Sequence, residues 1–277
     1  MIRRTALLSA LTLSLLLSAC SKNKDDTAAA AQAETAAQAE DGSEAAEAPA
    51  PRMKYWHVLG PMLAGSYGGA CVDKADMGKV DGAITVGADG KAASKGIDVD
   101  FREAAKISLM RAGDAKGGYG TTAALFMPSE DDGVLSLSSL GGGTATLVRG
   151  EQGVVCSNAG GTDRINSQPL HQALASLIDG KKQTLSCVDT KNIMTRRDVD
   201  VAIDGSVLKI GDATLDMKLA TTEMVNIEDG GSGIMLSVSM PDQSAATLIY
   251  DGTGTLTNAT TRNKTESTHA CEKKQGS

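Results

Sequence analysis

The chain has 277 residues, with 27 basic against 34 acidic side chains and a net charge of −7. That balance argues against general binding to nucleic acid or to anionic membrane, both of which need basic patches. Aromatic residues make up only 3% of the chain, so any core must be aliphatic.

At the start, Arg3 and Arg4 precede an apolar run, Ala6 to Leu17. The run is too short to cross a bilayer as a helix, for which about twenty residues are needed. With small residues ahead of a cut it reads as a secretory signal. Leu17, Ser18, Ala19 and Cys20 resemble the lipobox of bacterial lipoproteins. That resemblance implies a signal peptide over 1–19, cleavage before Cys20, and acylation of Cys20 itself, palmitate included. Two or more acyl chains anchor stably, each buried methylene contributing about 0.8 kcal/mol. Ser21, where inner-membrane retention would have Asp, implies the outer membrane, with the chain facing the periplasm. Loss of Arg3 and Arg4 takes the net charge from −7 to −9.

Residues 20–52 then form a lipidated Cys followed by a tether of Ala, Glu, Gln and Asp without Leu, Ile, Val or an aromatic. Such a segment cannot bury enough apolar surface to offset its ordering entropy and is expected to be disordered. As a coil it would reach about 30 Å.

Tyr55, Trp56 and His57 follow. They form the expected binding segment, because Trp and Tyr are enriched at interface hot spots and the chain spends its one Trp here. The competing reading is that Trp56 staples the entrance to the core. Gly60-Pro61 argues against one long helix over Tyr55 to Leu63.

From here the chain repeats itself. Cys71 and Cys156 are separated by 85 residues, Cys187 and Cys271 by 84. Ala70-Cys71-Val72-Asp73 matches Ser186-Cys187-Val188-Asp189, and Ile84-x-Val86-x-Ala88-Asp89-Gly90 matches Val199-x-Val201-x-Ile203-Asp204-Gly205. Gly96 matches Gly211, and Met127-Pro128 matches Met240-Pro241. The expectation is two tandem copies of one β domain, over 53–165 and 166–277. Four cysteines allow three pairings; a duplication favours Cys71 with Cys156 and Cys187 with Cys271. No Cys-x-x-Cys spacing supports zinc, and export suits disulfides.

Asp-Gly pairs punctuate both copies, and Asp-Gly suits tight hairpins. Between them run short segments of alternating polarity, such as Asp198 to Ile203, the mark of antiparallel strands with one wet face. The fold class expected is mainly β: two antiparallel β-barrels or β-sandwiches, each with an internal disulfide and little helix. One helix is expected before the second copy. Leu170, Ala173, Leu174, Leu177 and Ile178 recur at helical spacing, with Ser167 as cap, Pro169 in the first turn and Gly180 as stop.

Motifs for chemistry are sparse. His57, His171 and His269 lie far apart in sequence, with no Gly-x-Ser-x-Gly elbow. Asp98 with Asp100, and Asp198 with Asp200, each share a strand face and read as wet-face residues. Asp73-x-x-Asp76 lacks an EF-hand's ligands, and the Gly clusters lack the phosphate-loop spacing. No catalytic residue, metal ligand or cofactor is expected. The function expected is a non-catalytic lipoprotein, membrane-bound through its N-terminal lipid, that binds an envelope protein or polymer, one version being an inhibitor or immunity protein. Membrane-bound lysozyme inhibitors resemble it in architecture only, since their Ser-Gly-x-x-Tyr signature is missing. The alternatives are an envelope hydrolase with a dispersed site and an assembly scaffold.

Overall fold

Buried and exposed residues alternate along most strands of the computed structural model, which describes residues 52–114, 116–189, 191–263 and 268–274. The signal peptide, the lipobox and nearly all of the tether lie outside the described residues. The protein is mainly β, as its polarity pattern requires.

The first half opens with helix α1 (Trp56–Leu63) and strands β1 (Gly65–Gly68), β2 (Ala70–Asp73), β3 (Ala83–Val86), β4 (Lys91–Ser94) and β5 (Ile97–Asp100). A meander follows: β6 (Lys106–Asp114), β7 (Gly118–Phe126), β8 (Val134–Ser138), β9 (Thr144–Arg149) and β10 (Gln152–Ser157). Helix α2 (Leu170–Ala173) leads into the second half, with β11 (Gln183–Asp189), β12 (Asn192–Asp204), β13 (Val207–Ile210) and β14 (Ala213–Asp216). Its meander is β15 (Thr222–Glu228), β16 (Gly233–Ser239), β17 (Ala245–Asp251), β18 (Leu256–Arg262) and β19 (Thr268–Glu272).

The halves share part of their strand pairing. β2 returns to pair with β10, setting Cys71 opposite Cys156; β11 pairs with β19, setting Cys187 opposite Cys271. Both disulfides are formed. Asp100 and Asp216 each accept a hydrogen bond from the backbone N–H two residues on and open a short 3-10 turn, which buries Phe101 in one half and Met217 in the other.

Neither half closes into a barrel, which corrects that part of the sequence expectation. Closure of the second half would require β14 to pair with β15, and closure of the first would require both β5 to pair with β6 and β2 to join the four-stranded sheet. Instead β6 pairs antiparallel with β15, so one fifteen-stranded sheet runs through both halves. Leu109 lies opposite Val225, and these residues stand at the same distance from Asp100 and Asp216. Leu109 and Val225 thus hold like positions in the two meanders and face each other across the seam. Because β6 and β15 use their free edges on one another, β5 and β14 remain sheet edges. β5 ends a separate four-stranded sheet, β1-β3-β4-β5, that packs across β9. One buried apolar cluster runs through both halves in place of two separate cores.

The entrance segment straps this seam. Met53 N–H donates to the Arg102 carbonyl in the first half, while Lys54 N–H and the Tyr55 hydroxyl donate to the Gly230 and Gly252 carbonyls in the second. A two-turn helix does form at Trp56–Leu63, although Pro61 lies within it. A helix this short has few internal bonds to lose, and Leu59 N–H and Ala64 N–H still find the Tyr55 and Gly60 carbonyls. Trp56 folds over Gly60 and donates from Nε1 to the Ala88 carbonyl at 3.0 Å. A Cβ on Gly60 would lie 2.6 Å from both that carbonyl oxygen and Trp56 Nε1. Gly60→Ala should therefore destabilise by about 1–3 kcal/mol, the usual cost of overpacking. Denaturant unfolding measures the loss, and a red shift of the lone Trp emission reports the displaced ring.

The second expected helix is shorter than its periodicity suggests. α2 makes a single turn, although Leu170, Ala173, Leu174, Leu177 and Ile178 are all buried as the spacing implied. Pro169, not Ser167, stands at its N-cap. Beyond Ala173 the chain bends to meet the loop at Gly254, where Asp179 N–H donates to the Gly254 carbonyl.

Candidate functional site

The segment expected to bind is largely occupied by the fold. Trp56 and Tyr55 are each 6% exposed and hydrogen-bonded, so of the three only His57 faces solvent. The staple reading of Trp56 fits this placement, and the expected exposed patch does not form. Of the strand carboxylates, Asp198 is ion-paired to Lys274 at 2.7 Å and Asp200 to Lys182 at 2.7 Å. Arg102 holds the Asp100 carboxyl below the usual carboxylate range through its hydrogen bonds. Among the described residues, no cluster of three or more His, Cys, Asp or Glu side chains could hold a metal ion.

Two of the three histidines sit in polar constellations. His171, on α2, donates from Nδ1 to Glu223, which is fully buried on β15. Glu223 Oε2 also accepts from Leu170 N–H at 3.1 Å and lies 3.5 Å from Arg111 Nη1, which comes across the β6–β15 seam. Arg111 stacks on the Tyr119 ring, 3.6 Å from its centroid. His171 is 2% exposed, so this group is sealed from solvent and acts as a clasp joining α2 and both halves.

His269 lies in the open. It shares a cleft of about 320 Å3 in the second half with Arg197, Arg262, Thr261, Ser244 and Asp212 around the mouth and Val199, Ile210 and Leu215 behind them. Strand register builds this mouth. Arg197 pairs with Cys187, so it shares a strand face with Val199 and Val201 near the middle of the thirteen-residue β12. His269 stands two residues before the inward Cys271 and opposite Thr261. Arg197 Nη2 lies 2.6 Å from His269 Nε2. A guanidinium can only donate, so Nε2 accepts and the ring carries its proton on Nδ1. That nitrogen is then not available as a base toward Thr261 or Ser244.

Basic side chains outnumber acidic ones among the described residues of this mouth. Among the described residues neither Arg197 nor Arg262 has a carboxylate partner, and Arg262 donates to the Gln243 carbonyl. Neighbouring Arg196, on the other strand face, is ion-paired to Glu272.

The matching end of the first half is filled. In the register of β8, β9 and β10, the places of Ala246, Thr261 and His269 are taken by Leu135, Leu147 and Val154. These three are at most 1% exposed. Gly133 stands where the second half has Ser244 and lets Val99 close over the end, since a Cβ there would meet Val99 Cγ1 at 2.8 Å. Replacing two leucines and a valine by Ala, Thr and His removes apolar volume and opens the cleft. In the sequence the only trace was His269 two residues before Cys271, in a position that carries Val154 before Cys156. Comparison with known proteins found no matching family model, no similar curated protein and no similar solved structure.

Proposed function

We propose that this chain is a lipid-anchored, non-catalytic envelope protein built from two tandem copies of one β module, of which the second binds an envelope component in its cleft. The shared strand plan, the two equivalent disulfides and the facing of Leu109 by Val225 support the duplication. The lipobox Leu17-Ser18-Ala19-Cys20 supports anchoring, and Ser21 supports the outer membrane with the protein facing the periplasm. The observation that carries the binding reading is the contrast between the copies: one end is packed with leucine and valine, and its counterpart is opened and lined with two arginines that have no carboxylate partner among the described residues.

A binder is favoured over a hydrolase because each well-placed histidine is already committed. His171 is sealed against Glu223, and His269 accepts from Arg197. The inhibitor version draws support from a second feature. Between the pairs Val188–Arg196 and Asp189–Asn192, β12 bulges outward and presents Ile193 and Met194, which are 69% and 90% exposed. Such a projection fits entry into a partner's cleft.

Photo-crosslinking in intact envelopes tests both features, with the crosslinker replacing Thr214 in the cleft or Met194 on the bulge. Capture of a defined envelope component from position 214 is the expected result. A lytic enzyme captured from position 194 would favour the inhibitor version. Failure of position 214 to capture anything, or turnover of cell-wall substrate by the purified protein, would overturn the binding reading.

A further inference from the structure

The cleft runs along a sheet edge. Ala213, Thr214 and Leu215 are consecutive residues of β14, and all three line it. Successive strand residues point to opposite faces, so one cleft touching three in a row must follow the strand's open side. β14 is the last strand of the fifteen-stranded sheet, and no strand pairs with its outer edge among the described residues. An edge strand leaves alternate backbone N–H and C=O groups without a ladder partner. In the first half one carbonyl on β5, that of Asp98, accepts from Arg149 Nη1 at 3.0 Å.

From these features, and resting on the reading that the second copy is the binding copy, we infer that the cleft takes the free C-terminus of an extended peptide. The peptide adds to β14 as an antiparallel strand, with its carboxylate held by Arg197 and Arg262. Direction follows from the register. β13 and β14 turn between Ile210 and Ala213, and Val201 pairs with Ile210. Arg197 therefore lies beyond that turn, at the end of the cleft where β14 begins. A strand whose carboxylate sits there runs opposite to β14.

The chemistry matches part by part. Backbone addition to a sheet edge supplies affinity with little dependence on sequence. A guanidinium fork suits a carboxylate, and among the described residues lining the cleft two arginines face one acid, Asp212. Val199, Ile210 and Leu215 form an apolar wall that selects a small apolar last side chain.

The test is calorimetric titration of the full lipidated chain in detergent. The probes are an acetylated tetrapeptide of alanine ending in valine, its C-terminal amide, its analogue methylated at the backbone nitrogens, and hexanoate. The acid should bind saturably. The amide and the methylated peptide should bind about ten to a hundred times more weakly, the effect of losing charge-assisted or ladder hydrogen bonds. Arg197→Ala and Arg262→Ala should each weaken the acid by about tenfold, while Arg196→Ala, outside the cleft, leaves it unchanged. Circular dichroism confirms that the variants fold. Equal binding of acid and amide, or of peptide and hexanoate, overturns the inference, as does the absence of peptide binding. If position 214 crosslinks a component that is not a peptide, this inference fails while the wider binding reading stands.

Discussion

Glu223→Leu should unfold at markedly lower denaturant, with a loss of about 3–5 kcal/mol, the usual consequence of removing one partner of a buried ion pair. The substitution leaves the mostly buried Arg111 without a counter-charge among the described residues, and it strips the partner from His171 Nδ1 and Leu170 N–H. The clasp is already short of partners: His171 Nε2 and Arg111 Nε have none among the described residues. Its net value is therefore low even though breaking it is costly. The combined variant Glu223→Leu, His171→Leu, Arg111→Met should recover most of the lost stability, because replacing a whole buried polar group by apolar residues is often neutral. Urea unfolding of the three chains decides the matter. A Glu223→Leu variant as stable as the parent would show that the seam does not depend on this group.

The second large effect is expected from the disulfides. Each closes a loop of nearly equal length, 85 and 84 residues. The chain-entropy model gives about 4–5 kcal/mol for either. Cys71→Ser with Cys156→Ser, and Cys187→Ser with Cys271→Ser, should thus destabilise to a similar degree. The sharper expectation concerns cooperativity. Because β6 and β15 join both halves into one sheet around one buried cluster, removal of either bond should lower a single transition. Trp56 emission, which reports the first half, and far-ultraviolet circular dichroism, which reports the whole, should stay superimposed. Two separated transitions, with only one shifted by each pair of substitutions, would mean that the halves fold independently.

Local signals made much of the fold legible. Alternation in Asp198 to Ile203 marks a strand, and the structure places Val199 and Val201 inward. The matched cysteine spacings named the disulfide partners. Burial was also legible in Leu170, Ala173, Leu174, Leu177 and Ile178, but the length of their helix was not. Helical spacing reports which side faces the core; it does not report that Glu223, fifty-three residues away, holds Leu170 N–H, or that the Gly254 loop draws the chain out of the helix. Trp56 misled for a related reason. Composition singles out a lone Trp as a contact residue, while the glycine that admits its ring, Gly60, becomes meaningful only when Ala88 is brought beneath it.

The candidate site was the least legible part. Arg197 and His269 are seventy-two residues apart, and neither sits in a motif. What the sequence by itself determined is local and periodic: strand faces, turn positions and, from matched spacing, the cysteine partners. Only the tertiary structure decided which edges pair. A strand's alternation sets the face it buries, but its backbone will join any strand of matching register, and nothing in β6 names β15 as the partner. That choice left β14 paired on one side alone among the described residues and the second half's mouth open, and the candidate site exists because of it.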